Sequence, residues 1–250
     1  MSALKKMASY YSILFPGDAA KNSFIENNIP KDLEGIVIDL ACRTGQQLEY
    51  LSDKKYDVIG LDLEIEMLND FKKRRKDFSK KIFCGDMRDA DICLKEFKNQ
   101  ARLVYCVGNS LVQLTNFEDI HRTLIAIKNL LKADGNILIQ TVNFDRVISG
   151  DYEFLPNIDK KLPGGGSIYF ERRYSVSSKQ GFVNFETCLV TPDGTESNKK
   201  ELLALQKGDL KQLLTEVGFK DLKFYGDFNG SDWDEENTGT IVTARKSAAK

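Results

Sequence analysis

The strongest constraint on this chain lies between residues 36 and 51, IVIDLACRTGQQLEYL. Ile36-Val37-Ile38 is an apolar run without alternation, and it runs on to an acid, Asp39. A strand covered by helices on both faces reads this way, because neither face meets water. The small-residue turn Ala41-Cys42-Arg43-Thr44-Gly45 follows, and then Leu48 and Leu51 at helical spacing. A tight turn of small residues between strand and helix lets a ligand approach the backbone and meet the helix N-terminus. In open α/β sheets, nucleotide-like ligands sit at such a turn.

The same unit then repeats. Val58-Ile59-Gly60-Leu61 ends on Asp62 and is followed by Ile65, Leu68 and Phe71 at helical spacing. Ile82-Phe83-Cys84 leads to Gly85-Asp86-Met87, and the run from Ala101 to Val107 leads to Gly108-Asn109-Ser110. A helical pattern through Ile120, Leu124 and Ile127 is stopped by Ala133-Asp134-Gly135, and Asn136 to Gln140 reads as the fifth strand. Asp39, Asp62 and Asp86 are 23 and 24 residues apart, each spacing one strand-helix repeat. A doubly wound parallel sheet places all three along one carboxyl edge, beside one crevice.

Near residue 145 the pattern changes. Residues 167–175, 181–191 and 199–205 read as three antiparallel strands separated by Lys179-Gln180-Gly181 and Pro192-Asp193-Gly194. A helix over 208–217 and strands over 222–225 and 240–244 close the pattern. The expected fold is α/β: a Rossmann-like, doubly wound, mostly parallel seven-stranded sheet with an antiparallel insertion after the fifth strand. We expect a single domain over residues 1–250, with 146–207 forming a substrate lid.

Composition narrows the partners. Lys plus Arg number 36 against 37 Asp plus Glu, so no global field recruits nucleic acid or an anionic membrane. The five cysteines form no C-x-x-C pair, which argues against a metal site and for a reducing compartment. The apolar run from Tyr10 to Phe15 ends at Pro16 and is too short for a signal peptide, and no stretch reaches membrane-spanning length. A cytoplasmic location is expected. His121 has no evident catalytic partner, and the run Lys72 to Lys76 reads as the solvated end of the second helix.

The first turn resembles the opening motif of class I S-adenosylmethionine-dependent methyltransferases, acid-x-Gly-x-Gly-x-Gly, with Asp39, Ala41, Arg43 and Gly45 at its marked positions. Arg43 departs from the middle glycine: it swings outward, pairs with the cofactor carboxylate, or impairs binding. The resemblance implies S-adenosyl-L-methionine as cofactor. Asp62 with Leu63 would hold the ribose, Asp86 with Met87 the adenine, and Val107 with Gly108 the far side. Gly108-Asn109-Ser110 and Asn143-Phe144-Asp145 are similar to segments of the glycine N-methyltransferase group of small-molecule enzymes. That group's His and Arg before the second Asn are Thr141 and Val142 here, which removes a cation suited to glycine's carboxylate. The resemblance thus implies a small-molecule acceptor, methylated at nitrogen or, as the alternative, at oxygen. No N-P-P-Y signature follows the fourth strand, so DNA is not an expected partner.

Methyl transfer from a sulfonium needs alignment and exclusion of water more than acid-base machinery. Asn109 and Asn143 are the expected catalytic groups. Tyr10 and Tyr11 from the N-terminal segment, Arg146, and Arg172 and Tyr174 from the insertion are the expected substrate contacts. The competing readings are a catalytically silent cofactor-binding module, a tRNA or protein methyltransferase using Lys72 to Lys76, and a nicotinamide oxidoreductase. The missing dinucleotide glycine fingerprint disfavours the last. Oligomeric state is unknown from sequence.

Overall fold

A computed structural model describes residues 10, 13–150, 155–162 and 165–247. Strands β1 (Ile36–Leu40) and β2 (Val58–Asp62) are buried at every position. With no polar face to offer to water, both must lie inside a sheet covered on two sides. β1 pairs in parallel with β2 and with β4 (Ala101–Cys106). β3 (Ile82–Cys84) extends the sheet beyond β2, and β5 (Leu131–Val142) extends it beyond β4. Two antiparallel strands, β10 (Phe219–Tyr225) and β11 (Gly239–Lys246), complete the order β10-β11-β5-β4-β1-β2-β3. The winding reverses at β1, between β2 and β4, and a crevice opens there beyond the strand ends.

The sheet separates two apolar layers. On one face pack α1 (Ala19–Asn27), α2 (Gln46–Asp53) and α3 (Ile65–Arg74), around Ile25, Leu48, Leu51, Leu68 and Phe71. On the other pack α4 (Ala90–Cys93), α5 (Phe117–Leu130), α6 (Phe144–Ser149) and α7 (Lys207–Val217), around Leu124, Ile127, Phe144 and Leu214. Gly45 (φ 75°) caps the start of α2, and a Cβ there would meet the Phe71 ring at 2.2 Å. This glycine is required by the packing of α3 as well as by the turn.

Between α6 and α7 lies an antiparallel sheet of β6 (Ile158–Lys161), β7 (Ser167–Val176), β8 (Phe182–Thr191) and β9 (Gly194–Leu203), in that order. Tyr174, Val183 and Leu202 from its inner face join the α5–α7 core, whereas Ile168, Phe170 and Leu189 pack with Leu14 of the N-terminal segment. β6 was not expected from sequence. β9 begins at Gly194, five residues before its expected start. Its residues 195–201 carry charges without apolar alternation, which an edge strand with a wet face tolerates. β5 begins at Leu131 and passes through the expected 133–135 turn by a register shift against β4, with Asp134 at φ 62°. Among the described residues no helix is long and apolar enough to cross a membrane.

Candidate active site

The turn after β1 takes its shape from the end of β2. Ala41 N and Cys42 N donate to the Leu61 carbonyl oxygen at 2.7 and 3.1 Å, and Arg43 N donates to Asp62 Oδ2 at 2.8 Å. Ala41, Arg43 and Gly45 all have positive φ: 62°, 50° and 75°. The backbone of a triple-glycine turn is therefore kept although two of the three positions carry side chains, at about 1 kcal/mol or more each. Asp62 Oδ1 accepts from Glu64 N at 2.8 Å. Both oxygens of this buried carboxylate thus have a backbone partner, and each retains a lone pair.

The facing wall is the exit of β4. Gly108 (φ 77°) and Asn109 (φ 62°) form a left-handed turn clasped by Gln140 of β5. Gly108 N donates to Gln140 Oε1 at 2.7 Å, and Gln140 Nε2 donates to Asn109 Oδ1 at 3.1 Å. Arg43 crosses between the walls, its Nη2 donating to the Gly108 carbonyl oxygen at 2.6 Å and to Ser110 Oγ at 3.0 Å. On one side of it lies a cavity of about 490 Å³, with Leu63, Met67, Met87 and Leu114 as apolar walls and Asp62 and Asp86 as acids. Leu63 is 62% exposed, a large apolar side chain left bare beside a buried acid. On the other side lies a cavity of about 50 Å³, bounded by Lys21, Asp39, Val107 and Gly108 and by Phe15 and Pro16.

Charge is arranged unevenly along the crevice. Burial pushes the Asp39 carboxyl up to about 8, and Asp62 adds to that rise. The Tyr105 hydroxyl, on the residue paired with Asp39 across the sheet, eases the shift without reaching full hydrogen-bond geometry. Burial also lowers the Lys21 pKa, and Arg43 lowers it further. Asp86 is held below the usual carboxylate range by Arg88, whose Nη2 lies 2.7 Å from Oδ2. Arg88 also reaches Asp119 Oδ2 at 3.1 Å, fixing the far rim of the larger cavity.

Comparison with known proteins agrees with this architecture. Residues 37–135 match a family model described as a methyltransferase domain. A glycine/sarcosine N-methyltransferase from Aphanothece halophytica is 27% identical over 212 residues, which is 84% of this chain and 76% of that protein. An S-adenosylmethionine-dependent methyltransferase from Clostridium acetobutylicum superposes with a TM-score of 0.76 at 17% identity, covering 99% of this chain and 100% of the other. The sugar N-methyltransferase KedS8 from Streptoalloteichus sp. gives a TM-score of 0.72 at 14% identity, covering 99% and 94%. Together these likenesses support a class I S-adenosylmethionine-dependent methyltransferase.

The methyltransferase has residues that fit its cofactor chemically. The larger cavity has apolar walls suited to a purine and a carboxylate suited to a ribose diol, and its volume is that of a small-molecule site. The smaller joins two cations, Lys21 and Arg43, with the Asp39 carboxyl, a donor set suited to an amino acid. Of the residues singled out from sequence, Asp39, Ala41, Arg43, Asp62, Leu63, Asp86, Met87, Val107 and Gly108 line one or both cavities. Gly45 stands behind the turn, against Phe71.

The expected catalytic Asn143 and the expected substrate contacts each have partners within the protein. Asn143 is fully buried, and its Nδ2 donates to the carbonyls of Asp234, Glu235 and Asn237, so it anchors the segment before β11. Arg146 donates to the Glu236 carbonyl, and Arg172 Nη2 donates to the Pro156 carbonyl at 2.7 Å. Tyr174 is a core residue, its ring 5.9 Å from Phe144 and 4.8 Å from Phe185. Tyr10 donates to Asp193 Oδ2 at 3.1 Å, on the β8–β9 turn, and Tyr11 lies outside the described residues. Sequence reasoning missed Lys21, Arg88, Gln140 and Lys200, of which Lys200 reaches the larger cavity from β9.

Proposed function

We propose that this methyltransferase transfers its methyl group to a nitrogen atom of a small molecule, with residues 146–207 acting as the lid over the acceptor. The observation that carries the reading is the way the crevice is roofed from two directions. Lys200 Nζ of β9 donates to Gln113 Oε1 at 2.7 Å across the larger cavity. Phe15, which borders the smaller cavity, packs edge-on against Phe170 of β7 at 6.0 Å. A roof tied down at both ends suits a compact acceptor better than a duplex or a folded protein.

Nitrogen is favoured because similar proteins are described as glycine/sarcosine and sugar N-methyltransferases. The basic run at the end of α3 gives little support to an RNA acceptor. Arg74 pairs with Glu49 and Asp70, and Arg75 with Asp53 and Asp77.

In this reading Asp62 receives the ribose hydroxyls, Leu63, Met67, Met87 and Leu114 enclose the adenine, and Asp86 marks its outer edge. Asp39, Lys21 and Arg43 face the amino-acid end. When bound, S-adenosylmethionine supplies a methyl group already activated on a sulfonium. The protein's part is to hold the acceptor amine neutral and in line and to exclude water. Asn109, its side chain placed by Gln140 beside the Gly108 turn, is the group assigned to orienting that amine.

The test is turnover with S-adenosylmethionine across amino acids, amino sugars and polyamines, with alcohols, tRNA and peptides in parallel, followed by mass spectrometry. Methylation of an amine in the small-molecule set is expected. Methylation confined to a hydroxyl, a nucleic acid or a protein would overturn the reading. A second reading, a silent cofactor-binding module, draws on the position of Arg43, and binding without turnover of any acceptor would favour it.

A further inference from the structure

Arg43 spans the crevice from the β1 turn to the exit of β4. Its guanidinium donates to the Gly108 carbonyl oxygen at 2.6 Å and to Ser110 Oγ at 3.0 Å. It also covers the bare face of Gly108, since a Cβ built there would stand 2.6 Å from Arg43 Nη1. A left-handed glycine at a crevice wall leaves backbone open for a ligand to run along. Here the chain's own guanidinium occupies that surface. The result is a partition, with about 490 Å³ on the nucleoside side and about 50 Å³ on the amino-acid side, room for water-sized guests only.

We infer that Arg43 determines which adenosine derivatives this crevice takes: as positioned, it admits nucleosides without an amino-acid tail and bars those that carry one until the guanidinium is displaced. The inference deepens the cofactor placement proposed above and rests on it. Nothing on the nucleoside side has to move, because Asp62 and the walls Leu63, Met87 and Leu114 are already in place around an open cavity. The amino-acid side opens only when Arg43 gives up both acceptors. Those acceptors are neutral, yet each receives a hydrogen bond from a charged donor, and breaking such contacts lowers affinity by roughly tenfold or more. Lys21 and Asp39 remain on the amino-acid side to meet the tail once the partition opens. A consequence is competition: tail-free adenine nucleosides compete with the cofactor to a degree that a glycine at position 43 would not permit.

The experiment is calorimetry with S-adenosylhomocysteine and with methylthioadenosine, which shares the nucleoside and thioether but lacks the tail. Each ligand is titrated into the native protein, Arg43→Gly and Arg43→Asn. Asparagine tolerates the left-handed backbone at this position but is too short to cross the crevice. Both variants should bind S-adenosylhomocysteine about tenfold tighter or better, while methylthioadenosine stays within about threefold. Unchanged or weaker S-adenosylhomocysteine binding in both variants overturns the inference, the weaker case making Arg43 a partner of the carboxylate. A gain confined to Arg43→Gly overturns it too, since relief of backbone strain then explains the effect. Failure of both ligands to bind any of the three proteins removes the cofactor placement itself, and the inference with it. Binding of both ligands without discrimination between native protein and variants removes only the partition.

Discussion

In the seven-stranded sheet, β1 and β2 are buried along their whole length, whereas β9 of the four-stranded sheet buries only its last two residues. These two central strands are therefore constrained at every position, and Asp39 and Asp62 within them inherit that rigidity. The second has an inner face fixed by Tyr174, Val183 and Leu202 and an outer face of ion pairs, Arg173 and Lys199 on Glu186. Burial on both faces leaves little freedom to vary, so it suits a cofactor that never changes. A half-wet sheet tolerates substitution on one side, which suits the choice of acceptor.

The hardest blow to this contrast would come from the inner face of the smaller sheet. Tyr174→Ala should cost about 3–5 kcal/mol and keep a single urea transition, because the ring is embedded in the core that α5 and α7 share. Two transitions would show that the inserted sheet melts by itself.

Next in size is Asp39→Asn, which tests how rigidly the larger sheet buries its first acid. Burial holds the Asp39 proton up to about pH 8 in the folded chain, while an exposed aspartate releases it near 3.8. Between those values the folded state binds more protons than the unfolded, so stability falls as pH rises and is greatest below the lower value. Asp39→Asn should flatten this slope and be more stable near pH 8 by a few kcal/mol. Unfolding curves at about pH 5 and pH 8 check it, and a slope that survives the substitution assigns it to other groups.

Smaller again is Ala41→Gly. Removing the left-handed penalty at φ 62° should outweigh the added freedom of the unfolded chain by about 0.5 kcal/mol. A loss of thermal stability instead would mean that the turn is held without strain. Lys199→Ala should have the least effect, within about 0.5 kcal/mol, because its partner Glu186 keeps Arg173 and both cations are solvent-accessible. A larger change would make the outer face of the second sheet as constrained as the first.

The same contrast explains what could be read from sequence. Apolar runs without alternation marked β1 and β2, and acids at one-repeat spacing marked Asp39, Asp62 and Asp86, because both signals are local. Lys21 and Gln140 were invisible: Lys21 comes from a helix preceding the sheet, and Gln140 is a mid-strand amide serving the exit of the neighbouring strand. Arg88 is a local neighbour of Asp86, but its second partner, Asp119, lies on α5, so the rim they form needed the fold. The surroundings of the expected substrate contacts were unreadable for a related reason. Arg146, Arg172 and Tyr174 have functional chemistry in their side chains, but the Glu236 and Pro156 carbonyls and the Phe185 ring that they meet are distant in sequence. The first five residues of β9 escaped because an edge strand needs no apolar alternation on its wet face.

Asp62 is held by Arg43 N on one oxygen and by Glu64 N on the other. Its torsion angles are settled in advance, so in the proposed cofactor placement recognition of the ribose there carries little rotamer-ordering cost. The two amides also draw on the carboxylate's electron density, leaving its spare lone pairs weaker acceptors than those of a bare ion. Position 62 is thus a mechanical joint before it is a ligand contact. Its loss would first loosen the turn that shapes the crevice, and only then remove a partner for the hydroxyls.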